Sequence, residues 1–171
     1  MLNEKELQNI MDTYAEKLLR IAYFYTKSAQ TAEDIVQDVF ISFYYTNLYK
    51  EQGELSAYLS KMTINKSKAY LKSWSYRTFL LKDKLDILHK TDTVHHIICD
   101  HETYMIEQAI LKLPLKVREP IVYFYYEDMK IKEIATLLDI PESTVKTRLT
   151  KAKQLLKKDL SKTDWEVLLH D

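Results

Sequence analysis

KIKEIATLLDIPESTVKTRLTKAKQLLKK, residues 130–158, is the stretch on which the reading of this chain turns. Ile131, Ile134, Leu137 and Leu138 give a short helix one apolar face. Ala135 is small, as it must be where a second helix approaches closely; Asp139 follows four residues later and Val145 six after that. A helix-turn-helix has a small residue, a turn residue and an apolar residue at these spacings. The turn position favours positive φ, which Gly meets most easily, and Asp is among the few other residues that visit that region. The next helix repeats Val145, Leu149, Ala152 and Leu156 at spacings of four, three and four, the pattern of a buried seam. Lys146, Thr147, Thr150, Lys151 and Gln154 point away from that seam. Hydroxyl, amide and cationic side chains on such a face reach base edges and phosphates in a major groove, which admits one helix. Ser143 and Thr144, with the N–H groups of the helix N-terminus, suit a phosphate. The competing explanation is an ordinary antiparallel helix pair with a basic exposed side.

The composition around this stretch narrows the choices. The chain has 171 residues with a single Gly, three Pro and one Cys. One Gly leaves no material for a phosphate-cradling loop or a dinucleotide fingerprint, and little for primed hairpin turns. An all-helical chain is the economical reading. One Cys excludes an internal disulfide framework and suits a reducing compartment. The start, MLNEKELQNIMD, is acidic and amphipathic and lacks the apolar core of a signal peptide, and no apolar run approaches a membrane span. Basic and acidic residues balance at 25 each, which on its face argues against nucleic acid. By segment the picture differs: residues 55–82 carry net +6 with no acid, and residues 143–158, including Arg148 and Lys153, also carry +6 with no acid. Basic runs with interleaved aromatics or hydroxyls are the footprint of phosphate binding.

Outward from the helix-turn-helix, periodicity predicts helices over 104–112 and 115–126, with Pro114 and Pro120 in or before the first turn of theirs and Pro141 opening the last helix. Trp165, Val167, Leu168 and Leu169 extend the C-terminal packing. In the first half, helices are expected over 3–26, from Thr31 to about Tyr45, over Leu55–Ile64, and over the basic, aromatic stretch Lys66–Leu81. Residues 82–103 lose the period and read as an acidic, His-rich linker. Within it His95, His96, Cys99 and His101 are metal-ligand types, but one short stretch supplies too few ligands for a tetrahedral zinc, and a solvated linker is expected. The fold class is therefore all-α: two small helical domains, 1–81 and 105–171, joined by a linker over 82–104, the second domain containing the helix-turn-helix.

Three motifs in order carry a resemblance. The first is Ala32-Glu33-Asp34-Ile35-Val36-Gln37-Asp38-Val39-Phe40. The second is an aromatic-bearing helix with Tyr58-Leu59 leading to Asn65 and the basic run Lys66–Arg77. The third is Leu113-Pro114 with Arg118, then Glu133-Ile134-Ala135, then Pro141–Ala152. In joint order and spacing the chain resembles the extracytoplasmic-function group of sigma-70-type RNA polymerase sigma factors. Three positions depart: Ile64 stands where the family often has Arg, Ala69 where it often has Asp, and Ser60 where it often has an aromatic.

The resemblance implies a chain that binds the RNA polymerase core, through its beta-prime and beta subunits, and directs it to promoter DNA. It implies no covalent reaction, no cofactor, no metal, a cytoplasmic setting and control by an anti-sigma factor. The polymerase contact would fall on Asp34, Gln37, Asp38 and Ile41, which share one helical face; carboxylates there can pair with Arg on a partner. The −10 element would meet Lys61, Asn65, Lys66, Lys68, Lys72, Trp74 and Arg77. Strand opening extrudes a base from the stack, and Asn65 offers both donor and acceptor to a base edge. The −35 element would meet Ser143, Thr144, Lys146, Thr147, Arg148, Thr150 and Lys151. A free-standing helix-turn-helix regulator, usually dimeric on paired half-sites, is the alternative. It offers no use for residues 32–45 or for the basic aromatic run near residue 70.

Overall fold

The structure is a computed structural model that describes residues 3–46, 54–73, 77–78, 81 and 104–170, and among them all regular structure is α-helix. The chain divides into two compact units, Met1–Ile98 and Cys99–Asp171. Of the expected linker only Tyr104 is described, and it opens a helix. His95, His96, Cys99 and His101 lie outside the described residues, and among those described no cluster of His, Cys, Asp and Glu could hold a metal.

The first unit is built on three helices that pack pairwise: α1 (Glu4–Thr26), α2 (Ala29–Tyr45) and α3 (Leu55–Leu71). A capping box starts α1: the Glu6 N–H donates to Asn3 Oδ1 at 2.8 Å and the Asn3 N–H to Glu6 Oε2 at 2.9 Å. Lys27, at φ 58°, ends it. Only Lys27 and Ser28 separate α1 from α2. The expected start at Thr31 is two residues late, because Ser28 is the N-cap and accepts from the Thr31 N–H at 3.3 Å. The core is Leu18 and Ala22 of α1, Ala32, Ile35, Val36, Val39, Phe40 and Phe43 of α2, and Leu59 of α3, with Leu7, Ile10, Met11 and Tyr14 packed against it.

Residues 55–71 form one continuous helix, where two were expected with a break at Asn65. The physical reason is plain. No Gly or Pro interrupts the stretch, and Asn in a helix interior costs only about 0.5 kcal/mol relative to Ala. The seam of α3 also runs unbroken past it through Leu59, Ser60, Thr63, Ile64 and Ser67, all buried. This seam is unusual in its hydroxyls. Thr63 Oγ1 donates to the Leu59 carbonyl at 2.9 Å, whereas the Ser60 and Ser67 hydroxyls have no hydrogen-bond partner among the described residues. Lys17 Nζ reaches from α1 to Ser56 Oγ of α3 at 3.1 Å.

The second unit comprises α4 (Tyr104–Lys112), α5 (Leu115–Tyr126), α6 (Ile131–Leu138), α7 (Glu142–Asp159) and α8 (Lys162–His170). The central element is α5, which packs on α4, α6 and α7. Pro114 sits at its N-cap as expected, but Pro120 lies inside the helix rather than in its first turn. Burial there favours the apolar ring, which leaves no N–H for the Lys116 carbonyl. Arg118, also buried, donates from Nε to the Leu113 carbonyl at 3.2 Å and so pins the α4–α5 turn. The α8 helix touches α4 and buries Leu168, and of the other residues expected to extend the packing Trp165 is half-buried and Val167 is exposed.

Between α6 and α7 the chain turns on Asp139, at φ 55° and ψ 51°. The Ile140 N–H reaches back to the Ala135 carbonyl at 3.1 Å and the Asp139 N–H to Thr136 at 3.3 Å, the paired bonds of a left-handed helix stop. Ala135 and Val145 are buried on either side of it. Asp139→Val should lower the unfolding free energy by about 1–2 kcal/mol, because a β-branched residue strains at positive φ. Asp139→Gly should change it by less than about 1 kcal/mol. Urea titration of the two variants checks both.

Candidate nucleic-acid and partner interfaces

On α2 the buried positions Ala32, Ile35, Val36, Val39, Phe40 and Phe43 take one side, which leaves Asp34, Gln37, Asp38 and Ile41 on the other. All four are exposed, and their spacing of three and four makes them one stripe. Ile41 is 55% exposed, a large apolar side chain held in water on an otherwise polar face. The structure adds a residue that the motif did not include. Tyr45 stands four residues after Ile41 on the same stripe, is 76% exposed, and is braced edge-on by Tyr44 with ring centroids 5.3 Å apart. The signal was available in the spacing 34, 38, 41, 45. The stripe thus runs from carboxylates to apolar surface, a combination that can pair with Arg and bury an apolar side chain of the same partner.

On α3 the continuous helix puts Lys61, Asn65, Lys68 and Lys72 on one stripe at spacings of four, three and four, opposite the hydroxyl-rich seam. Asn65 is exposed at its middle, and its side-chain amide carries both an acceptor oxygen and a donor NH2. Lys68 Nζ lies 5.9 Å from the centroid of the Tyr25 ring of α1, which anchors one cation of the stripe. Lys66 falls off the stripe and is half-buried, and Arg77 is exposed. Trp74 lies outside the described residues. Two of the three departures noted in the sequence have turned inward: Ser60 and Ile64 are buried in the bundle, whereas Ala69 is exposed.

On α7 the seam is Val145, Leu149, Ala152 and Leu156, as the periodicity requires. Ser143, Lys146, Thr147, Thr150, Lys151 and Gln154 are exposed, and Thr144 is half-buried. Among the described residues no side chain caps the start of this helix, and the Thr144 N–H donates to the Pro141 carbonyl at 3.0 Å. The Thr147 and Thr150 hydroxyls donate to the carbonyls of Ser143 and Lys146 at 2.9 and 3.0 Å. In that state their oxygens offer only acceptor capacity and their methyl groups project outward. The six cations of the helix are not equivalent. Lys146, Lys151, Lys157 and Lys158 are exposed, while Arg148 and Lys153 are half-buried against α5. Arg148 Nη1 lies 3.9 Å from Glu119 Oε2, and Lys153 Nζ lies 5.0 Å from the Phe124 ring centroid. The outward +6 inferred from the sequence is therefore +4 on the free face.

The chain has parallels in known proteins. Residues 10–76 match the family model for sigma-70 region 2, and residues 104–156 match that for sigma-70 region 4. The two stretches take up most of the chain. The ECF RNA polymerase sigma factor SigW of Bacillus subtilis (strain 168) is 29% identical over 163 residues, covering 89% of this chain and 87% of that one. The RNA polymerase sigma factor SigV of the same strain is 26% identical over 165 residues, covering 88% and 89%. Among solved structures, the sigma factor RpoE of Bartonella quintana, in complex with the anti-sigma factor NepR, shares the fold. Its TM-score is 0.69 at 17% identity, over 90% of this chain and 96% of that one. CnrH, in complex with the cytosolic domain of CnrY, aligns at a TM-score of 0.63 and 18% identity, over 91% and 88%. With region 2 on the unit that bears the acidic and basic stripes, and region 4 on the unit that bears the helix-turn-helix, the chain belongs to the extracytoplasmic-function group of the sigma-70 family of RNA polymerase sigma factors.

Proposed function

We propose that the two units divide the work of an alternative sigma factor between them along these surface stripes. The α2 stripe of Asp34, Gln37, Asp38 and Ile41, lengthened by Tyr45, docks on the beta-prime coiled coil of the core enzyme. The α3 stripe of Lys61, Asn65, Lys68 and Lys72, with Lys66, Trp74 and Arg77, takes the −10 element as it opens. The exposed face of α7, led by Lys146, Thr147, Thr150 and Lys151 with Ser143 and Thr144 at its start, reads the −35 element as duplex. The protein performs no covalent chemistry of its own and works in the cytoplasm; no helix among the described residues is long and apolar enough to cross a membrane. An anti-sigma factor holds it in check, as the anti-sigma factor NepR is bound to RpoE in the structure of that relative.

The observation that carries this reading is the pairing, on one small bundle, of an exposed acidic–apolar stripe on α2 with a basic stripe on α3 in which Asn65 and Lys72 are exposed and Lys61 and Lys68 half-buried. A free-standing helix-turn-helix regulator needs neither. The test is run-off transcription of genomic fragments with purified core polymerase: specific initiation only when the chain is added supports the reading. If the chain neither co-purifies with core nor promotes specific initiation, the reading is lost.

Two narrower outcomes follow from the stripes. Asp34→Lys reverses charge at the docking face and should weaken capture of core at least tenfold, without changing the unfolding midpoint, because the side chain is exposed. Asn65→Ala should cut initiation on duplex promoters while leaving templates pre-melted across the −10 element close to wild type. Equal loss on both templates would remove Asn65 from strand opening.

A further inference from the structure

The two cations that α7 turns back onto α5 bear on how the reading helix is held. Arg148 and Lys153 are five residues apart, which at 3.6 residues per turn sets one on each edge of the seam formed by Val145, Leu149, Ala152 and Leu156. Each meets a different α5 residue: Glu119 faces Arg148, and one and a half turns further along α5 the Phe124 ring faces Lys153. The Glu119 side chain is only 6% exposed, against 23% for Arg148. A carboxylate so buried is tolerated when cations and donors surround it. At 3.9 Å the pair is an ion pair rather than a hydrogen bond, and its charges attract with little solvent between them. Lys153, at 5.0 Å from the Phe124 centroid, sits within cation–π range. A guanidinium spent on Glu119 behind the helix is not in the groove in front of it.

We infer that Arg148 and Lys153 are positioning residues that fix the rotation of α7 about its own axis against α5, and that neither reads or neutralises DNA. The inference rests on the −35 role of α7 and deepens it. An apolar seam alone lets a helix roll by a few degrees. A polar contact on each edge resists rolling in both directions, so that Lys146, Thr147, Thr150 and Lys151 meet the groove at one angle. The DNA-facing charge is then smaller than the sequence suggests, and the remaining cations carry all of it.

Counterion release separates a positioning cation from a DNA-contacting one. Each phosphate neutralised contributes about −0.9 to the slope of log K against log salt. The experiment uses holoenzyme assembled from the full chain and core polymerase. It is titrated at several KCl concentrations with a duplex fragment recovered by run-off transcription and with versions of that fragment substituted across the −35 element. Lys146→Ala and Lys151→Ala should each flatten the slope by about 0.9. Arg148→Met should weaken binding by roughly fivefold, the effect of a partly exposed ion pair, with the slope and the preference at every −35 base pair unchanged. Lys153→Met should behave in the same way with a smaller loss. Glu119→Gln, which keeps the shape of the side chain, should reproduce Arg148→Met, and the double variant should lose little more than either. That last result also guards against a variant that merely misfolds.

A slope flattened by about 0.9 in Arg148→Met would make it a phosphate contact and overturn the inference, as would a preference relaxed at a single base pair. Additive losses in the Glu119–Arg148 cycle would also overturn it. If wild-type holoenzyme ignores the −35 substitutions altogether, the −35 reading fails and the positioning role falls with it. That outcome is distinguished by the wild-type control alone.

Discussion

Each helix in this protein has one side to bury, and that burial decides where every charge goes. The seam of α7 against α5 is the clearest case. Val145 and Ala152 are fully buried, so Lys146, Thr147, Thr150 and Lys151 have no choice but the opposite face. Residues on the border of the seam, Arg148 and Lys153, are neither in nor out, and they find partners on α5. The same rule works on α2, where seven buried side chains from Ala29 to Phe43 hold Asp34, Gln37, Asp38 and Ile41 in water. The surface stripes of α2, α3 and α7 are what the packing leaves over, which is why an acidic one and two basic ones can be built from three amphipathic helices and a neutral total charge.

The parts legible in the sequence were those fixed by period or by backbone sterics. Val145, Leu149, Ala152 and Leu156 announced their seam by spacing, and Asp139 announced a left-handed turn because few residues other than Gly accept one. The α2 stripe was legible for the same reason. Helix boundaries were less so. Ser28 and Thr31 are both good N-caps, and the choice between them depended on Lys27 adopting positive φ, which no local pattern marks. The helix does not break at Asn65, because the seam of α3 passes it without a gap. The engagement of Arg148 with Glu119 joins residues of two helices, and no spacing within one helix encodes it.

Charge balance takes on a different meaning in this light. A neutral chain with two acid-free basic runs is a chain that keeps its cations in separate places for separate tasks. On α3 one cation is anchored over Tyr25, and on α7 two are spent on α5, so the exposed cationic surface of each unit is sparse. Sparse cations give weak, salt-sensitive contact alone and useful affinity only when a larger assembly holds both units to the same duplex, because the second contact then forms at high local concentration.

The hydroxyl-rich seam of α3 has a mechanical consequence. Where α2 seals itself to the bundle with Ile35, Val39, Phe40 and Phe43, α3 contributes Ser60, Thr63 and Ser67 alongside Leu59 and Ile64. Two of those hydroxyls are buried without partners among the described residues, and each such group costs about 1–3 kcal/mol relative to a satisfied one. The hold of α3 on α1 and α2 therefore rests on Leu59 and Ile64 more than on its hydroxyls, which add little to the adhesion of the helix that bears Asn65.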